Sequence, residues 1–147
     1  EVEVLEPRFV YPLSLLLADS LIGPRVALVG DAGHGIHPLA GQGLNLGLKD
    51  AAALAETLVD ARRLGEDIGP PSVLARYQGW RRFDNVTMAL MMEAFDRTFA
   101  TDNPLIRAVR DSGMATVNAH PSARRFFMAE AGGAVGDLPR LLKGEAL

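Results

Sequence analysis

The stretch Arg25–Leu58, RVALVGDAGHGIHPLAGQGLNLGLKDAAALAETL, decides the fold. Its first part, Arg25 to Gly30 (RVALVG), is a short apolar run closed by glycine, the pattern of a buried strand. Asp31 to Gly43 (DAGHGIHPLAGQG) is a glycine-dense loop. Beyond it Leu44, Leu48, Ala51, Ala55 and Leu58 recur at helical spacing, with Lys49, Glu56, Asp60 and Arg63 on other faces. This predicts an amphipathic helix from about Gly43 to Leu64, stopped by Gly65. Strand, glycine loop and long helix in that order form a ligand-binding unit of an α/β fold.

Upstream, Phe9 to Leu17 reads as an extended segment with Pro12 at an edge or bend, and Gly23-Pro24 as a turn. Downstream the pattern becomes helical throughout. Pro70-Pro71-Ser72 predicts a helix start capped by Ser72, with helix from Val73 to about Ala100 and a bend near Gly79. Asn103-Pro104 predicts a second start, leading to a helix over Leu105–Asn118 that Gly113 weakens. A short helix over Ser122–Ala131 should end at Gly132-Gly133, leaving a loose tail from Gly136. The expected fold class is therefore an α/β fragment, predominantly helical: one or two strands, a long helix, then a C-terminal helical region. The boundary is placed between residues 1–65 and 66–147.

The 147 residues suffice for one moderate core; 48% are apolar and 22% charged, which excludes a disordered chain. The net charge of −3 argues against nucleic acid as a partner. With no cysteine, disulfides, thiolate metal sites and cysteine nucleophiles are excluded. The longest apolar stretch, Leu13 to Ile22, is interrupted by Ser14, Asp19 and Ser20 and is too short to span a bilayer. The sequence opens mid-pattern at Glu1, so we expect a C-terminal fragment of a longer protein.

The loop and helix start suit one extended ligand. A helix amino terminus leaves backbone N–H groups without partners and carries about half a positive charge. Gly41, Gln42 and Gly43 lie there, and two of the three have no Cβ to hold a flat ligand away. A ligand edge that develops negative charge is stabilised at such a place. Asp31, just after the strand, can accept hydrogen bonds from sugar or polyol hydroxyls. Pro38 stiffens the loop between the two anchors.

These residues resemble the second FAD-binding motif of the flavoprotein aromatic hydroxylases: Gly30-Asp31-Ala32, Pro38, Gly41-Gln42-Gly43, Asn45 and Asp50. The spelling of His37–Leu48 (HPLAGQGLNLGL), with Tyr11-Pro12-Leu13 upstream, is most similar to the ubiquinone-biosynthesis branch of these class A flavin monooxygenases. The resemblance covers Phe9 to Leu58 well and the helical tail loosely. It implies FAD as cofactor, NAD(P)H as electron donor, O2 as co-substrate, and hydroxylation of the aromatic ring of a polyprenylated phenol or quinol. It further implies that Asp31, preceded by Gly30, binds ribityl or sugar hydroxyls. Gly41, Gln42, Gly43, Leu44 and Asn45 would hold the pyrimidine edge of the ring by backbone contacts, and His37 and Pro38 would flank the ring. No side chain here is expected to act as a catalytic nucleophile, because the cofactor carries the chemistry. The motifs that bind the ADP half of FAD are absent from this sequence, so these residues alone should be colourless and inactive.

Other readings of the same residues are weighed alongside. Asp31, His34 and His37 have i, i+3, i+6 spacing, but a metal site needs further convergent ligands, so none is expected. The Gly41–Gly47 run lies too far beyond the strand for a phosphate-binding dinucleotide turn. Met88, Met91, Met92, Phe95 and Phe99 form an apolar stripe, read as core or subunit interface in preference to a polyprenyl-lipid groove. Arg62, Arg63, Arg76, Arg81 and Arg82 read as a solvated face paired with Glu66, Asp67 and Asp84, in preference to a phosphate site. Trp80 reads as a packing anchor and Asp50 as structural. The expected location is cytoplasmic, with peripheral contact at the inner membrane left open. A helical assembly fragment that forms homo-oligomers through the C-terminal helices, or another hydroxylase or epoxidase of the same superfamily, are the alternatives.

Overall fold

A computed structural model describes residue 9 and residues 14–36 and 41–147. Four short strands come first: β1 (Leu16–Leu17), β2 (Ile22–Gly23), β3 (Val26–Ala27) and β4 (His34–Gly35). Four helices follow: α1 (Gln42–Arg63), α2 (Pro71–Ala100), α3 (Pro104–Ala119) and α4 (Pro121–Ala131). The chain is thus the predominantly helical α/β type that the sequence predicts.

The strands pair antiparallel, β1 with β4 and β2 with β3. The β2–β3 hairpin turns at Pro24-Arg25, where Arg25 takes a left-handed conformation at φ 58°. The predicted strand over Arg25–Gly30 is largely not formed. A ladder extends only as far as its partner, and here β2 supplies two residues before the chain bends away. Leu28 N–H adds one bond to Leu21 O, and then Gly30–Ala32 turns as a single 3-10 turn.

The α1–α2 pair forms the core. The buried face of α1 is mostly small or polar (Ala52, Ala53, Thr57, Ala61), which lets α2 approach with Val73, Leu74, Tyr77 and Met88. Leu21, Ala53 and Tyr77 make one apolar cluster; Leu46, Met88 and Met92 make another. Rising numbers on α1 meet falling numbers on α2, so the helices run antiparallel. Gly65, at φ 75°, ends α1 as predicted, and Asn103 caps α3 by accepting from Leu105 N–H at 2.9 Å.

Two sequence expectations, the Ser72 cap and the loose tail, are corrected here. Pro70, not Ser72, is the cap of α2, because Pro71 has no N–H and its fixed φ suits the first helical position. Both α2 and α3 run without interruption through Gly79 and Gly113. The tail is bound rather than loose: Arg140 reaches Glu56 and Asp60, Trp80 Nε1 donates to Asp137 O at 3.2 Å, and Arg63 donates to Leu147 O at 2.6 Å. Among the described residues no helix is long and apolar enough to cross a membrane.

Candidate functional site

Among the described residues, the start of α1 is open on one side. Gly41 precedes it in the left-handed region (φ 63°, ψ 20°), and the first turn carries no acidic residue. Having no side chain, Gly41 cannot cap the first amides, and a Cβ built on it would meet nothing within 4 Å. Asp31 stands beside this helix start. A Cβ built on Gly43 would lie 3.8 Å from Asp31 Oδ1. Both Asp31 and Gly41 are exposed, and Leu44 is 72% exposed.

A glycine–glycine contact sets this arrangement. Gly30, left-handed at φ 61°, packs against Gly47 on α1, and a Cβ on Gly47 would lie 3.5 Å from Gly30 Cα. The turn therefore rests on the helix backbone, and the next residue, Asp31, falls level with its first turn. The side chains of Gln42 and Asn45 face elsewhere. Both donate to Ala131 O at the end of α4, at 3.2 and 3.0 Å, and Asn45 Nδ2 also donates to Gln42 Oε1. What these two residues offer at the helix start is backbone. The expected contacts of His37 and Pro38 lie outside the described residues.

Behind the helix start is a buried polar network. Asp50 is fully buried, and its Oδ2 accepts from Gly30 N–H at 3.1 Å and pairs with His34 Nε2 at 2.5 Å. Its Oδ1 accepts from Arg81 Nε at 2.8 Å and Asn85 Nδ2 at 3.3 Å. Burial alone would raise the Asp50 carboxyl. The hydrogen bonds from His34 and Arg81, helped by Gly30 N–H, overcome that and hold it below the usual carboxylate value. The network lies between the two apolar clusters along the helix pair, where water is excluded and such bonds are strong. Nearby, Tyr77 donates to Leu28 O at 2.7 Å. Burial, and then the Asp50 charge, push its phenol well above the ordinary value.

Arg81 corrects the sequence reading most sharply. It is not on a solvated face but fully buried, bound to Asp50 and, through Nη1, to Asp84 at 2.7 Å. The rest of the arginine cluster is more conventional: Arg76 pairs with Glu66 at 2.9 Å at the surface, and Arg82 donates to Asp19 O. A signal was available, since Tyr77, Arg81, Asn85 and Met88 share one helical face. His34, weighed as a metal ligand, has its Nε2 engaged by Asp50.

The methionine–phenylalanine stripe divides. Met88 and Met92 are core, whereas Met91, Phe95 and Phe99 line an open groove of about 670 Å³ between α2, α3 and α4, together with Met114 and Phe127.

The FAD binding domain family matches residues 10–94, more than half of the chain. The chain belongs to this family. FAD is its cofactor, and the strand–loop–α1 unit lies within the matched residues of this FAD binding domain. The chain is 44% identical over 144 residues to ubiquinone hydroxylase UbiL of Rhodospirillum rubrum, covering 96% of this chain and 34% of that protein. It is 45% identical over 104 residues to 3-demethoxyubiquinol 3-hydroxylase of Escherichia coli, covering 71% of this chain and 27% of that one. To the mitochondrial ubiquinone biosynthesis monooxygenase COQ6 of Caenorhabditis elegans it is 39% identical over 121 residues, covering 82% and 27%. The chain spans about a third of the length of the relatives that match nearly all of it.

Proposed function

We propose that the complete protein is an FAD- and NAD(P)H-dependent monooxygenase that hydroxylates the aromatic ring of a polyprenylated phenol or quinol in ubiquinone biosynthesis. The observation that carries this reading is the Asp31 carboxylate beside the glycine-flanked start of α1. Such a pair fits the cofactor: a carboxylate for its polyol hydroxyls, and the positive end of a helix for the electron-rich edge of its ring. The named relatives, ubiquinone-biosynthesis hydroxylases, supply the substrate class.

FAD, when bound, supplies the electron relay from NAD(P)H to O2. The chain's own residues bind and orient. Asp31 would grip hydroxyls, and the backbone from Gly41 to Asn45 would hold the ring edge, with Gly41 and Gly43 allowing close approach. Residues 1–65 carry the cofactor contacts, and residues 66–147 support them. The test is a turnover of the full-length protein with NAD(P)H and a polyprenylated phenol under ¹⁸O2. The expected product carries one labelled hydroxyl; consumption of NAD(P)H with no labelled product would sink the proposal.

A peripheral membrane contact is favoured by the outer helices. Neither α3 nor α4 has a buried residue, and Leu105, Val109, Phe126 and Met128 are each more than half exposed, near Arg107, Arg124 and Arg125 in sequence. Apolar side chains flanked by arginine suit an anionic lipid surface. Co-sedimentation with anionic vesicles that weakens in Phe126→Ser supports this contact. A dimer that leaves vesicles unbound assigns the face to a second copy instead.

A further inference from the structure

The Asp50 carboxylate makes a demand that no isosteric residue meets. Gly30 N–H and His34 Nε2 lie on one oxygen, and Arg81 Nε and Asn85 Nδ2 on the other. Both sides present donors, so two acceptor oxygens are required. An asparagine would turn its NH2 group towards donors on one side or the other. His34 Nδ1 is buried without a partner among the described residues.

The two sides of this carboxylate belong to different parts of the fold. Gly30 and His34 flank the turn that presents Asp31, whereas Arg81 and Asn85 sit on α2. Gly30 is left-handed, and its N–H is the group that Asp50 holds. Fixing that amide fixes the Val29–Gly30 peptide, and with it the entry to the turn that carries Asp31. None of Asp50, Arg81 or Asn85 is at the helix start, and Asp50 and Arg81 are fully buried.

We propose that Asp50, with Arg81 behind it, is a positioning residue for the cofactor: it locks the Gly30 turn so that Asp31 faces the start of α1. This rests on reading Asp31 and Gly41–Asn45 as the FAD contact. Arg81, on a helix that bears none of those contacts, is thereby a remote determinant of FAD affinity.

The test uses full-length protein and FAD titration by flavin fluorescence, alongside thermal unfolding and visible circular dichroism of the bound flavin. Four variants are compared: Asp50→Asn, Asp31→Ala, the double Asp50→Asn/Arg81→Gln, and Ala89→Gly as a control that destabilises the buried face of α2. Asp50→Asn should weaken FAD binding at least tenfold and alter the flavin dichroism, while the control stays within twofold of the parent. In the double variant the introduced glutamine, and Asn85 once its amide turns over in the absence of the Arg81 donor, offer acceptors to the NH2 group of the introduced asparagine, leaving the asparagine oxygen for Gly30 and His34. Its affinity should return to within threefold of the parent, which keeps the proposal testable even if Asp50→Asn alone does not fold. An Asp50→Asn affinity within twofold of the control overturns the proposal, as does a folded double variant that stays tenfold weak. In those cases a loss of binding in Asp31→Ala leaves the site reading standing. Unchanged affinity in Asp31→Ala overturns both.

Discussion

Neutralising position 50 leaves Asp84, whose carboxylate is partly in solvent, as the one counter-charge of the buried Arg81 guanidinium among the described residues. Breaking a buried pair from one side costs about 3–5 kcal/mol, and Asp50→Asn should lose stability on that scale. The pH dependence has a definite sign. The folded carboxyl titrates below its unfolded value near 3.9, so its contribution is full above that value and is lost as pH falls through the lower, folded one. Urea unfolding of parent and Asp50→Asn should therefore differ by a constant amount at neutral pH and converge below about pH 4. A gap that persists undiminished at pH 3 would contradict this. Tyr77 acts at the other end of the scale. Its folded phenol titrates above the unfolded value near 10, so its contribution is present below pH 10 and declines as pH rises beyond it. Tyr77→Phe should cost about 1 kcal/mol at neutral pH, because Leu28 O loses its donor, and the difference should narrow in alkali.

Where α1 meets the turn, two glycines make opposite predictions. Gly47 is in the helix interior, and a Cβ there meets Gly30 Cα at 3.5 Å, an ordinary contact. Gly47→Ala should be neutral or stabilise by up to about 1 kcal/mol through helix propensity. Gly30 is left-handed, so Gly30→Ala should cost about 1–2 kcal/mol and weaken FAD binding with it. Thermal unfolding of the two variants side by side checks the contrast, and equal effects would refute it. The helices were legible because their signals are local: Gly41 and Gly65 bracket α1, and Asn103-Pro104 opens α3. Strand extents were not, because a ladder needs a partner that local pattern does not reveal. Arg81 escaped for a related reason. A charged helix residue reads as solvated unless its counter-ion, here Asp50 from another helix, is known to face it.

Over the whole molecule, the last residues are bound along α1. Arg140 meets Glu56 and Asp60, and Pro139 is fully buried. Removing residues 138–147 should lower the melting temperature by several degrees, since a few kcal/mol of ion pairing and burial go with them; an unchanged melting temperature would show the tail to be dispensable. On the proposed reading, which gives these 147 residues the polyol and ring-edge contacts, they should purify by themselves without stoichiometric flavin absorbance. A yellow preparation would refute this. The site itself was half legible. Asp31 and the glycines of the helix start stand out by composition, whereas the Gln42 and Asn45 contacts to Ala131 O join residues far apart in sequence.

Lys49 adds an order of events to this picture. It is buried, and its Nζ donates to Val135 O at 2.9 Å. A nascent chain emerges from the ribosome amino end first, so the Lys49 ammonium must wait for Val135 to be translated before it can leave water with a partner. Until then the helix it sits on cannot settle into its final berth. On the proposed reading of the site, FAD loading at that helix follows the synthesis of Val135.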